Sequence, residues 1–380
     1  MRLIPNIPSV YTSFPDDYIN DVRGWGFDRA TVEGSAGKLL TLDIDFGSRC
    51  SLNCPFCFRR DNSVDSIQHT LQYDDLVQLV ADAKELGLKT VKFLGAGEPL
   101  ENDGILEFLT LLKDMNIIPV IFTKTGILAD DVAISRLFSY RGIRTSEELA
   151  QFLYDCGASI VLGFNSFDDH IQCEMSGGNS HTVNLRNRSM ELLVDIGFTS
   201  TMATRLAIGV NPITRANVSE AFNIYKWARL RNIYAIVTPT MISGREKGNA
   251  WQTITPSEDK LINLYTDIYR FNLETHLSTV ADLRVSGVAA YAGGHPCNQV
   301  ATGLYVSLNG IVLSCPGSEE NVEGNIWNST LEDIWVNSAN YKRGGMFNCH
   351  CIAKDGKSIP ADLYRRVLEE LEISEDARNG

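Results

Sequence analysis

The sequence predicts an α/β protein: a sheet of six parallel strands alternating with helices, followed by a smaller C-terminal unit built on a β-hairpin. Three observations carry that expectation. Apolar runs of strand length alternate with amphipathic helical stretches between residues 39 and 240. Glycine-rich, polar and cysteine-rich segments fall at the ends of those runs. After residue 257 the alternation gives way to helices and then to YVSLNGIVLSC (305–315), two short strands joined by Asn309-Gly310, a strong two-residue hairpin signal.

In chain order, LLTLDIDF (39–46) reads as a strand running into RCSLNCPFCFRR, and YDDLVQLVADAKEL (73–86) as an amphipathic helix closing at Gly87. TVKFLGAG (90–97) is the second strand, ILEFLTLLKDM a helix and PVIFTKTG the third strand. An extra segment (128–145) precedes a helix from Ser146 to Asp155 and the strand SIVLGFN. Helix NLRNRSMELLVDI, strand TSTMATRLAIG, helix ANVSEAFNIYKWARLR and strand YAIVTPT complete six units. Strands separated by helices imply a parallel sheet, open or closed wholly or partly into a barrel, with ligands at the strands' C-terminal ends. There lie Cys50 to Cys57 after strand one, Gly95 to Pro99 after strand two, Thr123 to Gly126 after strand three, and Asn165 and Ser166 after strand four, with Arg205 late in strand five. The expected organisation is an extension (1–38), a barrel (39–256), a helical connection (257–289), a second domain (290–359), and a C-terminal helix and polar tail (360–380).

Composition narrows the function. A chain of 380 residues, 44% hydrophobic, can bury a large core. A formal net charge of -13, with no basic run beyond Arg59-Arg60, argues against nucleic acid as a partner. The N-terminus lacks an apolar signal core and no stretch of about 18 uncharged apolar residues occurs, so no membrane partner and a cytoplasmic location are expected. Nine cysteines, an odd number at uneven spacing, suit reduced thiols used for metal binding or catalysis rather than a disulfide framework.

Cys50, Cys54 and Cys57 stand at CxxxCxxC spacing directly after strand one, with Phe56 before the third thiol, and G-A-G-E-P follows strand two. On these residues, and over about residues 39 to 240, the chain resembles the radical S-adenosylmethionine (radical SAM) superfamily. The alternative is a zinc site built on three thiols. A four-iron cluster normally takes four cysteines, so three leave one iron open. The resemblance implies a partial (β/α)6 TIM-like barrel and a [4Fe-4S] cluster on Cys50, Cys54 and Cys57. It also implies S-adenosylmethionine chelated at the open iron, and reductive cleavage to a 5'-deoxyadenosyl radical. Phe56 matches the aromatic near the adenine; Ala96, Gly97 and Glu98 match the family's GGE segment, with Ala96 replacing its first glycine. Asn165 and Ser166 match positions for a ribose contact, and Arg205 one for the methionine carboxylate.

Cys297, Gly310 and Cys315, at C-x12-G-x4-C spacing, resemble the start of the auxiliary-cluster domain called SPASM or its shorter relative, twitch. With Cys349 and Cys351 the chain offers four thiols, enough for one auxiliary [4Fe-4S] cluster. The single residue between Cys349 and Cys351 is a tight spacer, so one thiol could be free, with His350 or His295 as a substitute ligand. Cys156 ends an apolar helix and reads as a packed thiol. Cys173 could face the site and quench a substrate radical, as a thiol does in radical epimerases; Lys124 and Glu174 are further candidates, each weighed against a surface charge. The resemblance implies an electron donor such as flavodoxin or ferredoxin. With 38 residues before strand one, too few for a leader-binding domain, a sugar or cyclitol-like substrate undergoing oxidation or epimerisation is expected. The competing expectations are modification of a ribosomally made peptide and a non-catalytic metal-binding protein.

Overall fold

The structure is a computed structural model and describes residues 4–59, 70–248, 250–294, 296–347 and 350–373. Nine strands form one sheet in the order β6-β5-β4-β3-β2-β1-β7-β8-β9. β1 (Thr41–Ile44), β2 (Thr90–Phe93), β3 (Ile118–Thr123), β4 (Ser159–Gly163), β5 (Leu206–Ile213) and β6 (Tyr234–Pro239) are all parallel, each beside its sequence neighbour. The crossovers carry α1 (Tyr73–Glu85), α2 (Ile105–Asp114), α3 (Ser146–Asp155), α4 (Asp169–Ser176), α5 (Ser180–Ile196) and α6 (Val218–Arg229). Helix starts are set by local chemistry: Thr145 and Glu148 form a reciprocal capping box at α3, and Asn179 accepts from Thr182 N–H at α5.

Alternation along each strand divides its side chains between two environments. Leu42, Ile44, Val91, Phe93, Ile121, Ile160, Leu162, Ile208 and Val237 face the helices in the main core, where each fully buried side chain contributes roughly 1.5–3 kcal/mol. Val120, Val161, Ala207, Tyr234 and Ile236 face the opposite way and form an inner cluster with Val22, Trp25 and Tyr291. Residues from all six parallel strands line one cavity, so the sheet curls around it as an incomplete barrel. The N-terminal extension closes one end: Val22 bridges Thr204, and Trp25 and Phe27 reach the cavity wall.

β7 (Gly303–Val306) hydrogen-bonds parallel to β1, so the C-terminal region extends the barrel sheet directly. β8 (Ile311–Leu313) returns antiparallel through the Asn309-Gly310 turn, and β9 (Val322–Asn325) pairs with β8. The hairpin follows the sequence reading; the pairing of its first strand with β1, some 260 residues earlier, carries no local signal. α7 (Glu258–Glu274) packs against α6 and against the C-terminal helix α8 (Leu363–Glu370).

Three local departures have physical causes. Residues 131–138 form a short helix capped by Asp130 within the stretch read as an extra segment. α4 was not expected, because DHIQCEMS shows little amphipathic pattern; Asp168 caps it by accepting from the His170 and Ile171 N–H groups. Strand five begins at Leu206 rather than within TSTMATR. Polar residues there serve local turns, as where Thr201 Oγ1 donates to Ala203 O.

Candidate active site

The loop after β1 carries Cys50, Cys54 and Cys57, all on the cavity wall beside Phe56. Neighbouring segments fix its backbone. The Asn102 side chain accepts from Arg49 N–H (3.1 Å) and donates to Arg49 O (3.1 Å) and Glu98 O (2.6 Å). Glu101 accepts from both Ser51 N–H and Ser51 Oγ at 2.7 Å. Arg245, after β6, donates to Cys54 O (2.5 Å) and Asn53 Oδ1 (2.6 Å). A side chain at Gly97 would place its Cβ 2.5 Å from Arg49 O, so glycine there lets the loops after β1 and β2 touch. Ala96 departs from the family glycine without strain, since it is not among the residues at positive φ.

Burial raises the Cys50 thiol to about 12, with Glu98 and Cys54 adding to the rise, and it raises Cys54, where Lys124 pulls the other way. Thiols this reluctant to ionise are suited to a positively charged metal centre that would stabilise the thiolate. Glu98 is 3% exposed, and its carboxylate accepts from Lys124 N–H (3.0 Å) and Leu100 N–H (3.4 Å), joining the loops after β2 and β3. Burial lifts its pKa to about 7 against these hydrogen bonds. Gly95, Ala96, Gly97, Glu98 and Lys124 all line the cavity.

The same cavity is lined farther along by Cys297 and Cys315. Cys315 packs in a buried cluster with Val300 and Ala353, against which Cys351 also lies. Burial raises all three thiols, Cys351 to about 11; Cys315 and Cys351 also feel the charge of other members of the group, and Cys297 that of Lys92, Asp43 and Lys354. Cys349 and His295 lie outside the described residues. His350 is 85% exposed and pairs with Asp355 at 3.5 Å, so the structure does not turn it towards the thiols. Among the described residues no three His, Cys, Asp or Glu side chains close on one point as the ligands of a single zinc ion would. The donor set at each place, three buried or partly buried thiols, is of the type that would hold an iron-sulfur cluster.

Several expected residues lie elsewhere. Arg205 is a correction: it precedes β5, and its guanidinium donates to the Tyr154 and Ala158 carbonyls (each 2.8 Å) at the sheet's N-terminal end, stacked over Tyr154 and Phe198. Ser166 is engaged with Glu220 and accepts from Asp168 N–H at 2.8 Å, while the main chain of fully buried Asn165 is held by Gln172 and Asn217; neither residue lines the cavity. Cys173 sits on α4 near Asp169 and Arg186, off the cavity wall, whereas Met175 two residues on is part of it. Glu174 is exposed and paired with His170, and Cys156 is packed in the core.

The sequence reading missed the other wall. Trp25, Phe27, Phe122, Met241 and Tyr291 give it aromatic and apolar surface. Against them stand Asp43 on β1 and Lys92 on β2, 3.6 Å apart, with Lys92 also donating to Gln299 Oε1 at 3.2 Å. Asp43 Oδ1 has no hydrogen-bond partner, and burial raises this carboxyl to about 6 although Lys92 pulls it down. A signal existed: LDI and VKF each place one charge inside a buried apolar strand.

The signature of the Radical SAM superfamily matches residues 44–223, the segment that supplies the three-thiol loop and the four strands β2 to β5 after it. Over residues 44–223 this is a radical SAM protein. Two relatives are similar to it at low identity. It is 23% identical over 223 residues to 7-carboxy-7-deazaguanine synthase of Clostridium acetobutylicum, a match covering 59% of this chain and 86% of that one. It is 29% identical over 151 residues to GTP 3',8-cyclase of Petrotoga mobilis, covering 33% of this chain and 44% of the cyclase. Among solved structures, Streptococcus suis SuiB bound to S-adenosylmethionine superposes with a TM-score of 0.54 at 16% identity, over 81% of this chain and 68% of SuiB. anSMEcpe with bound AdoMet gives 0.55 at 17% identity, over 87% and 96%. At these identities the likeness is one of fold, including the parallel sheet and the C-terminal hairpin region. Radical SAM membership implies a [4Fe-4S] cluster, S-adenosylmethionine, a substrate and a reductant. Among the described residues no helix is long and apolar enough to cross a membrane.

Proposed function

We propose that this radical SAM enzyme oxidises a hydroxyl-bearing small molecule, sugar or cyclitol-like, held in the cavity between its two cysteine groups. One observation carries the reading: Cys50, Cys54 and Cys57 line one part of the cavity and Cys297 and Cys315 another, so one bound molecule can lie near both. When bound, a [4Fe-4S] cluster with S-adenosylmethionine supplies a 5'-deoxyadenosyl radical that removes a hydrogen atom from substrate, and an auxiliary cluster supplies an electron sink or an anchor.

The chain's own residues do the rest. Cys50, Cys54 and Cys57 hold the first cluster; Cys297, Cys315 and Cys351, with Cys349 as the fourth candidate, hold the second. Glu98 stands where it can accept from the ammonium group of the methionine moiety, and Phe56 where it can pack against the adenine. Trp25, Phe122 and Tyr291 exclude water from the carbon under attack. Asp43 Oδ1, buried, ion-paired to Lys92 and without a hydrogen bond, accepts from a substrate hydroxyl, and its raised pKa suits it to hold that proton as the carbinol becomes a carbonyl. Oxidation is favoured over epimerisation because Cys173 stands off the cavity wall.

The test is 5'-deoxyadenosine formation by the anaerobically reconstituted enzyme, with dithionite or reduced flavodoxin as donor, across a panel of sugars and aminocyclitols. A member of the panel should stimulate formation and be converted to a carbonyl product, and Asp43→Asn should reduce stimulated turnover by roughly 10²-fold while leaving uncoupled formation intact. Stimulation by peptides alone would replace this reading with peptide modification.

A further inference from the structure

Lys354 is 0% exposed, yet among the described residues no carboxylate lies within ion-pairing distance of it. Its ammonium donates to Thr238 Oγ1 at 2.7 Å on β6 and sits 4.7 Å from the centre of the Tyr291 ring. Thr238 spends its own proton on Ala290 O at 2.8 Å, so a hydroxyl lone pair faces the ammonium. The adjacent Asp355 carboxylate is committed elsewhere, accepting from Cys351 N–H (2.8 Å) and Tyr364 Oη (2.7 Å). An ammonium removed from water needs a negative partner, and one hydroxyl and one aromatic face are modest substitutes.

Burial works against the Lys354 ammonium; the groups that favour its charge are Cys351 most, then Cys297 and Cys315, and least the Asp355 carboxylate. The thiols come from three separate segments, and the lysine is carried by the same short turn as Cys351, with its N–H bonded to Cys351 O at 3.1 Å. Its side chain extends from that turn to β6, where Tyr291 separates it from the substrate cavity.

We propose that Lys354 is the built-in counter-charge of the auxiliary cluster and favours its reduced form, an inference that rests on the assignment of Cys297, Cys315 and Cys351 to such a cluster. A cluster ligated by thiolates is anionic and gains one more negative charge when it takes up an electron. A fixed positive charge beside it in a low-dielectric setting stabilises the more negative state and raises the potential. Lys354 touches neither substrate nor S-adenosylmethionine; it is a positioning residue that tunes the second site.

The experiment uses the full chain with Cys50→Ala, Cys54→Ala and Cys57→Ala, so that iron bound after reconstitution reports the second site alone. Lys354→Gln, neutral but able to keep a hydrogen bond to Thr238, is compared with Lys354→Arg by potentiometric titration followed by electron paramagnetic resonance. Lys354→Gln should hold its iron and show at least a tenfold lower reduced-to-oxidised ratio at fixed potential, a shift of about 59 mV to the negative for one electron, while Lys354→Arg stays near the parent. An unchanged potential in iron-loaded Lys354→Gln overturns the proposal. If Lys354→Gln loses iron and Lys354→Arg retains it, the counter-charge is supported by cluster retention. If both lose it, Lys354 is a packing residue and the proposal fails. Absence of iron in the parent triple variant is a separate result that sinks the auxiliary-cluster assignment itself.

Discussion

The two cysteine groups of this molecule both reach one cavity, the second through Cys297 and Cys315, but are built by opposite means. Cys50, Cys54 and Cys57 occupy one short loop whose backbone is clamped from outside by Asn102, Glu101 and Arg245. Cys297, Cys315 and Cys351 stand on three segments that meet only because β7 joins β1 and β8 folds back on it. Their charged surroundings differ as well: a buried carboxylate, Glu98, stands beside the first group and a buried ammonium, Lys354, beside the second. A compact motif can be borrowed by any scaffold that fixes its loop, whereas a dispersed one exists only when the whole fold is formed.

The largest expected effect separates the two groups outright. Wild type should bind about eight irons, and replacing Cys50, Cys54 and Cys57 by alanine should leave about four with no reductive cleavage of S-adenosylmethionine. Replacing Cys297, Cys315 and Cys351 should also leave about four, with uncoupled cleavage retained. Iron and sulfide analysis beside 5'-deoxyadenosine assay checks both, and equal loss of cleavage in the two variants would erase the functional distinction.

Gly97→Val probes how the first group depends on its clamps. The new side chain collides with Arg49 O, so the cysteine loop must shift, at an overpacking cost of about 1–3 kcal/mol. Iron should be lost from the first group and kept by the second, read by comparing this variant with the two triple variants.

Glu98 gives the comparison a pH signature. Its pKa in the folded chain, about 7, lies above the ordinary carboxylate value, so the folded state favours the proton. The associated stability is fully present below the unfolded pKa and is lost as pH rises through about 7, on the order of 3 kcal/mol. Urea unfolding of the iron-free chain at pH 5 and pH 7.5 should show a fall in stability that is smaller in Glu98→Gln, with weaker binding of S-adenosylmethionine in the reconstituted variant. An identical pH slope in the two proteins would refute the assignment. The smallest effect is expected at the hairpin that delivers Cys315. Gly310 has φ +80° and no room for a Cβ beside the Trp327 indole, so Gly310→Ala should cost about 1–3 kcal/mol. Iron at the second group should fall in part while the first group is untouched.

Much of the barrel was legible because buried parallel strands and amphipathic helices write their periods into the chain, as at TLDI and YDDLVQLVADAKE. The three-thiol loop was legible for the same reason of locality: its ligands are neighbours in sequence. Arg205, Ser166 and Cys173 were misplaced because proximity to a strand end does not say where a side chain finds hydrogen-bond partners. Arg205 found main-chain carbonyls at the N-terminal end of the sheet, and Ser166 found Glu220.

What the sequence by itself determined is therefore the local part: the order of strands and helices, the Asn309-Gly310 hairpin and the spacing of Cys50, Cys54 and Cys57. Only the tertiary structure decided that β7 pairs with β1, that Trp25 from the N-terminal extension reaches the cavity, that Asp43 meets Lys92 and that Lys354, on the turn of Cys351, is buried against Thr238 and Tyr291. The physical reason is that main-chain geometry and burial period act over a few residues. Long-range strand pairing and the compensation of a buried charge depend on which surfaces meet when the sheet closes around its cavity.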